Sequence, residues 1–228
     1  FISGTLTLTN LTSFTRNFNL AFALPVSPPF SPSEYFGSVS ALLTDLNAWI
    51  SDGTKPPASR VPMRAHGTLV AAKGAVPADI PGLPYAGIHT LAAFSDQSVL
   101  PPKEIGRYPV FVPKADDDGM AISGIRQLAL VVPRATYTAW NPRAQGFGPT
   151  ALYPLQGAVV PFAPTEAARK EVHDPRLSIA ERYADDGAYV AAVRREAARQ
   201  VAERILLPED AERAVEAAKQ GKLAKLGP

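Results

Sequence analysis

Val131-Val132-Pro133-Arg134-Ala135-Thr136-Tyr137-Thr138-Ala139-Trp140-Asn141-Pro142-Arg143 is the stretch around which the rest of the chain is arranged. A short apolar run, Leu128 to Val132, is stopped by Pro133, which has no backbone N–H to offer a helix or ladder. Two threonine hydroxyls, a phenol, an indole and a carboxamide then occur between Thr136 and Asn141. Tyr and Trp combine a large apolar surface with one polar handle, which suits a pocket wall or a partner surface. The plainer alternative is a buried aromatic corner whose donors are satisfied. Tyr137, Thr138, Trp140 and Asn141 are therefore candidate binding residues, a site-shaped cluster that names no reaction.

Outward from this stretch, 228 residues suffice for one sizeable core or two small ones, and 46% hydrophobic content is that of a globular chain. Twenty-three basic and 21 acidic residues leave a net charge of +2, too small a field to recruit nucleic acid or an anionic membrane. With no cysteine, disulfides and thiolate metal sites are excluded, and the compartment stays open. No apolar run reaches the roughly 18–20 residues a membrane-spanning helix needs. The chain opens on Phe1-Ile2-Ser3-Gly4 without Met or a basic leader, the pattern expected of a processed or truncated piece.

Composition breaks near residue 165. Twenty of the 23 prolines lie between Pro25 and Pro164, whereas 24 of the 44 charged residues come after Thr165. This predicts an apolar, proline-punctuated body up to about residue 164 and a charged, helical tail over residues 165–228. Phe1 to Thr9 alternates apolar residues with threonine, a strand pattern. Pro25, Pro28, Pro29 and Pro32 argue against helix up to Ser33, with at most a short extended piece at Leu20 to Leu24. Ser38 or Ser40 can then cap a helix over Ala41 to Ile50. Leu42, Leu43, Leu46, Trp49 and Ile50 share one face of it, and Gly53 suits its end.

Short strands are predicted at Thr68 to Ala71 and Tyr108 to Val112, with turn and coil between them. Asp116-Asp117-Asp118-Gly119 lacks the remaining ligands of a calcium loop and predicts a hairpin turn, with Ile125 to Pro133 as the returning strand. Gly146-Phe147-Gly148 predicts a further turn, and Leu155 to Val160 is apolar again. In the tail, Thr165-Glu166 opens a short helix that Asp174-Pro175 ends. Ser178-Ile179-Ala180-Glu181 is a capping box. A longer helix over about Ala188 to Leu206 carries Val190, Val193, Ala197, Val201 and Ile205 on one stripe. The last helix starts at Pro208 and ends at Gly221.

No G-x-S-x-G elbow, phosphate loop, H-E-x-x-H helix or dinucleotide glycine pattern occurs, so no serine triad can be completed and no cofactor or metal is expected. His66, His89 and His173 are each better read as surface or structural histidines, at spacings that fit no metal. In His173-Asp174-Pro175-Arg176, Arg176 is expected to be tied into an ion pair.

The chain resembles the C-terminal portion of a bacterial family called alpha/beta hydrolase domain-containing proteins. The resemblance is carried by Trp49 to Pro62, Gly67-Thr68-Leu69-Val70, Val112 to Gly119 and Gly124-Ile125-Arg126. It continues through Thr136 to Asn141, where the family favours Gly at the Ala139 position, and Pro161-Phe162-Ala163. Asp174 to Ser178, Glu181-Arg182-Tyr183 and Leu206 to Ala211 complete it. It implies an α/β-hydrolase C-terminal part, with residues 1–55 as the end of the hydrolase core, residues 56–164 as a proline-rich β and coil region and residues 165–228 as the helical tail. Phe1 to Thr5 would be the last sheet strand and Ala41 to Ile50 the helix lying on the sheet, followed by the proline-rich region and the helical tail. It further implies esterase-like serine hydrolysis of a small ester-like substrate, with nucleophile and acid on an upstream part of the same hydrolase. The family's catalytic histidine typically comes just after a Gly-Thr pair; here Gly4-Thr5 is followed by Leu6-Thr7-Leu8-Thr9. On that view the chain alone is inactive, catalytic residues within it are none, and Tyr137, Thr138, Trp140 and Asn141 line or cover the pocket.

A reading from a different class makes the chain a non-catalytic, mainly β binding or assembly module with a helical tail. A third makes it a divergent complete enzyme using His66 or His89 as base. An oligomer is compatible with each of these readings.

Overall fold

Pro32 opens the first helix of the computed structural model, which describes residues 32–85, 93–107, 109–143 and 157–223. The expected strand at Phe1 to Thr9, the extended piece at Leu20 to Leu24, His89, Tyr108 and the turn at Gly146 to Gly148 lie outside the described residues. So do Leu155 and Gln156.

Helix α1 runs from Pro32 to Asp52 and ends at Gly53, which takes the left-handed φ of +78°. It begins nine residues earlier than Ala41, because a proline at the first helical position loses no hydrogen bond. Ser38 and Ser40 therefore lie within the helix and not at the capping position before it. The Ser40 carbonyl accepts from Thr44 Oγ1, at 3.0 Å. Ala41, Asp45 and Leu46 form the buried face, with Trp49 and Ile50 half-buried and Leu43 42% exposed. The face is turned by the helix over Pro208–Lys219, which packs against α1, and by Arg204, whose Nε lies 3.4 Å from Asp45 Oδ1.

All strand pairs among the described residues are antiparallel, in three two-stranded sheets. β1 (Leu69–Ala71) pairs with β4 (Phe111–Pro113), Val70 opposite Val112. These strands fall close to the two predicted at residues 68–71 and 108–112. Between them β2 (Ala93–Asp96) and β3 (Lys103–Arg107) form a hairpin where turn and coil are expected. The apolar residues Phe94 and Ile105 stay largely exposed on it, so no amphipathic alternation marks it in the sequence.

The Asp116 to Gly119 turn forms. Gly119 N donates to Asp116 O at 2.9 Å, Asp116 N donates to Met120 O at 2.8 Å, and Ala115 bridges Ala121. The returning strand expected over Ile125 to Pro133 does not form. Leu128–Val131 is instead the short helix α2. An apolar run this short is ambiguous between strand and helix. The helical spacing wins because Leu128 and Val132 both enter the core made by the tail, while Ala129 joins Met120, Ala135 and Tyr137 in a second cluster. The chain then extends as β5 (Ala135–Thr138), paired with β6 (Ala158–Pro161), Tyr137 opposite Val159. All four residues of β5 are buried, so both faces of this strand are covered.

The tail obeys its local signals. α3 (Glu166–Glu171) is capped by Thr165, whose hydroxyl accepts from Ala168 N. α4 (Ile179–Arg182) carries the complete Ser178–Glu181 capping box. α5 (Asp186–Ala202) starts two residues before Ala188 because the Asp185 carboxylate accepts from Ala188 N at 2.7 Å. It stops at Ala202, short of Leu206, where Arg204 turns to a φ of +58°. α6 (Pro208–Lys219) has Pro208 in its first turn and the left-handed Gly221 just beyond it. The buried stripe of α5 is Tyr189, Val193, Ala197 and Gln200. It packs on Ala214, Val215 and Ala218 of α6, and on Leu128 and Val132.

Gly119 is the tightest glycine among the described residues. It has φ of +84°, and an added Cβ would lie 2.6 Å from Ile80 Cδ1. Gly119→Ala is expected to cost about 2–4 kcal/mol, combining left-handed strain with overpacking. Chemical denaturation measures this directly, and a shift under about 1 kcal/mol would contradict it.

Candidate functional site

The two threonines of β5 are absorbed by structure. Thr136, 0% exposed, donates its hydroxyl proton to Asp118 O in the Asp-Gly turn and accepts from Arg176 Nη1 at 2.8 Å. Thr138 Oγ1 donates to Trp140 O and accepts from Ala158 N at 3.2 Å, which curls the chain out of the strand. Tyr137 packs with Met120, Ala129, Ala135 and Val159. Trp140 and Asn141 lie beyond the curl and are half-buried, reaching the surface that Tyr137 does not. The Trp140 ring lies 5.5 Å from that of Tyr85, tilted by 51°. The Tyr85 hydroxyl donates to Ala72 O at 2.7 Å, and burial pushes its pKa up, so it stays a neutral donor. Nothing in the pattern around Tyr85 marks it as the neighbour of Trp140, because the two are far apart in the chain.

Beneath the strand lies a buried ionic centre. Arg176 and Asp174 are almost wholly enclosed, with Arg176 Nε 2.9 Å from Asp174 Oδ1 and Nη2 2.6 Å from Oδ2. This is the ion pair expected at that turn. Arg176 also donates to Val160 O and Pro161 O of β6. Burial alone would raise the Asp174 pKa, but the hydrogen bonds from Arg176 outweigh it and hold the carboxyl below its usual value. Arg176 and Arg182 both stack on Phe162, 5.1 and 4.1 Å from its ring centre, and Arg182 pairs with Asp118. Tyr183 donates to Pro133 O at 2.9 Å, and burial drives its pKa up to about 12. The stretches that carry the family resemblance at 116–119, 136–141, 161–163, 174–178 and 181–183 thus meet in one place.

A cleft of about 410 Å³ opens elsewhere, lined by Arg60, Met63, His66, Ile122, Arg126 and Arg199 among others. Tyr137, Thr138, Trp140 and Asn141 are not in its lining. His66 is exposed at its edge, and its backbone N–H donates to Met63 O. Inside, Arg126 Nη2 donates to Asp116 Oδ2 and to Leu130 O, while its buried Nε has no acceptor. An unsatisfied buried donor of this kind costs about 1–3 kcal/mol. Arg60 pairs with Glu203 at 2.6 Å, and Arg199 with Glu196 and Glu203. No local pattern unites positions 60, 126 and 199. His173 is exposed and left-handed at φ +54°, a turn former. Among the described residues no group of three or more His, Cys, Asp or Glu is placed to hold a metal, and no helix is long and apolar enough to cross a membrane.

The ionic centre sets two measurable outcomes. Arg176→Met strands a buried carboxylate and is expected to cost about 3–5 kcal/mol, with Asp174→Asn added to it recovering part of the loss; denaturation of the single and double variants measures both. Glu181, held by Arg169 and by Ser178, has its pKa lowered from 4.5 to about 2. Because that value is depressed on folding, the stabilisation is complete above the unfolded pKa and is lost as pH falls from about 4.5 toward 2. Comparing wild type with Glu181→Gln across that range should show a stability difference that shrinks with acidification, and a constant difference would refute it.

No curated protein and no solved structure shows significant similarity to the chain. The model of the alpha/beta hydrolase domain family matches residues 17–216, most of the chain's length, from before α1 to the body of α6. The chain belongs to the alpha/beta hydrolase domain family.

Proposed function

We propose that this chain is the C-terminal part of a bacterial alpha/beta hydrolase, esterase-like in its chemistry, whose serine nucleophile and acid lie on an upstream part of the same enzyme. The observation that carries this reading is the family match over residues 17–216 in a sequence with no G-x-S-x-G elbow. A serine triad without its nucleophile has no covalent route, so the chain by itself supplies pocket walls and does not turn over an ester. Helix α1 supports the same reading. Leu43 stays 42% exposed on it, and the described strands form only two-stranded antiparallel sheets, none of which is the parallel layer such a helix covers in this family.

In the complete enzyme the 137–141 segment forms one side of the ester pocket. Trp140 and Asn141 present an indole and a carboxamide toward the substrate, while Tyr137 and Thr138 fix the backbone that carries them. The buried centre at Arg176 holds that segment rigid, which is what a substrate-positioning wall needs.

Hydrolysis of p-nitrophenyl butyrate tests the proposal, comparing the 228-residue chain with a longer protein that includes the upstream reading frame. The chain alone should give no rate above buffer and the longer protein should give turnover. In the longer protein Trp140→Ala should raise KM about tenfold with little change in kcat, the mark of lost substrate binding. Turnover by the 228-residue chain alone would sink the proposal.

A further inference from the structure

We propose that the cleft formed by Arg60, Arg126 and Arg199 is a binding site for an organic carboxylate with an apolar body, distinct from the 137–141 segment. None of the residues lining this cleft is acidic. Its three guanidiniums come from the loop before β1, the loop before α2 and the last turn of α5, brought to one hollow of about 410 Å³. That volume lies in the range of small-molecule sites. Glu203, Asp116 and Glu196, which pair with the three arginines, are not part of the lining. They anchor the guanidiniums without closing the hollow. Arg60 and Arg199 keep 34% and 46% of their side chains exposed, so both still face solvent. A guanidinium has five N–H donors in a planar fork, and that fork matches a carboxylate.

The charge balance selects the kind of anion. Three arginines against three carboxylates leave no net charge, so an anion is drawn by the guanidinium N–H groups those pairs do not use, which disfavours a dianion such as phosphate and suits a singly charged head. The remaining walls say what the monoanion carries. Val61, Met63 and Ile122 line the same cleft and are 57%, 41% and 38% exposed, an apolar surface beside the arginines. A bare inorganic anion would leave that surface wet, whereas an alkyl or aryl tail on the carboxylate would cover it. The site therefore takes an amphipathic acid, head to the arginines and tail to Val61 and Met63. Its occupancy is independent of the hydrolase reading, because binding is measured without turnover.

Saturation-transfer difference NMR on the 228-residue chain tests it, with hexanoate as probe and 1-hexanol and inorganic phosphate as controls. Hexanoate and 1-hexanol are observed directly, and phosphate, which has no non-exchangeable proton, is read through its displacement of hexanoate. Hexanoate should bind at least about tenfold more tightly than either control. Arg60→Gln should weaken hexanoate about tenfold, and Val61→Ser should weaken it severalfold while leaving phosphate unchanged. Circular dichroism reports whether each variant is folded. Should Arg60→Gln unfold, Val61→Ser decides, since its side chain is more than half exposed and its loss perturbs little packing. Equal affinity for hexanoate and 1-hexanol, tighter binding of phosphate, or unchanged hexanoate affinity in the folded variants would each overturn the proposal.

Discussion

A guanidinium that is removed from water must have its charge and its donors answered by the protein, and Arg176 sets that condition for this fold. Its side chain is 1% exposed. Burying an ion costs several kcal/mol even after relaxation, and the cost is offset only by a close counter-ion and complete hydrogen bonding. Here Nε, Nη1 and Nη2 all donate, to Asp174, Thr136, Val160 and Pro161. Those acceptors lie on three separate pieces of chain. Satisfying one residue therefore fixes where β5, β6 and the turn after α3 stand relative to each other. Thr136 extends the constraint, since a hydroxyl both accepts and donates, and its proton goes to Asp118 O. Asp118 in turn holds Arg182 at the end of α4.

The consequence is that a change in composition near residue 165 is not a break in packing. Apolar residues from before it, Leu128 and Val132, share a cluster with Tyr189, Val193 and Ala214 from after it. Proline-punctuated chain supplies short strands that cannot stand alone, because an isolated two-stranded ribbon is marginal in water. The helical tail supplies area for them to lean on. Arg134, stacked 4.9 Å over Tyr189, and the Tyr183 bond to Pro133 O tie the entry to β5 against that tail.

What is legible in the sequence is local. Thr165, the Ser178–Glu181 box, Pro208 and Gly53 act within three or four residues of themselves, so spacing alone reveals them. The Asp174–Arg176 pair is two residues apart and equally readable. The partners of that pair are not. Thr136 is 40 positions from Arg176, and no periodicity links a threonine in a strand to a turn in the tail. α2 departs from the expected strand for a related reason. Leu128 to Val132 carries β-branched residues and stops at a proline, which suits a strand. Its helical form is decided by two different clusters waiting on its two sides. The start of α1 shows the converse: Pro32 counts against a helix interior and not against a first turn.

The same division explains the two candidate sites. The 137–141 segment stands out in sequence because its chemistry is dense, yet most of that density is consumed in place: Thr136 and Thr138 bond within the fold, and Tyr137 fills a core. Of the aromatic and amide groups, Trp140 and Asn141 retain surface. The arginine cleft is the reverse, invisible along the chain and apparent only where three distant guanidiniums converge. Helix α1 joins the two questions. Its buried Asp45 keeps one oxygen, Oδ2, without a donor, and burial raises its pKa against the pull of Arg204. Covering the remaining area of Leu43 would add about 1 kcal/mol. The side of the helix that carries Asp45 is held by α6 and Arg204, whereas Leu43, about 200° around the helix from it, lies on the opposite and exposed side.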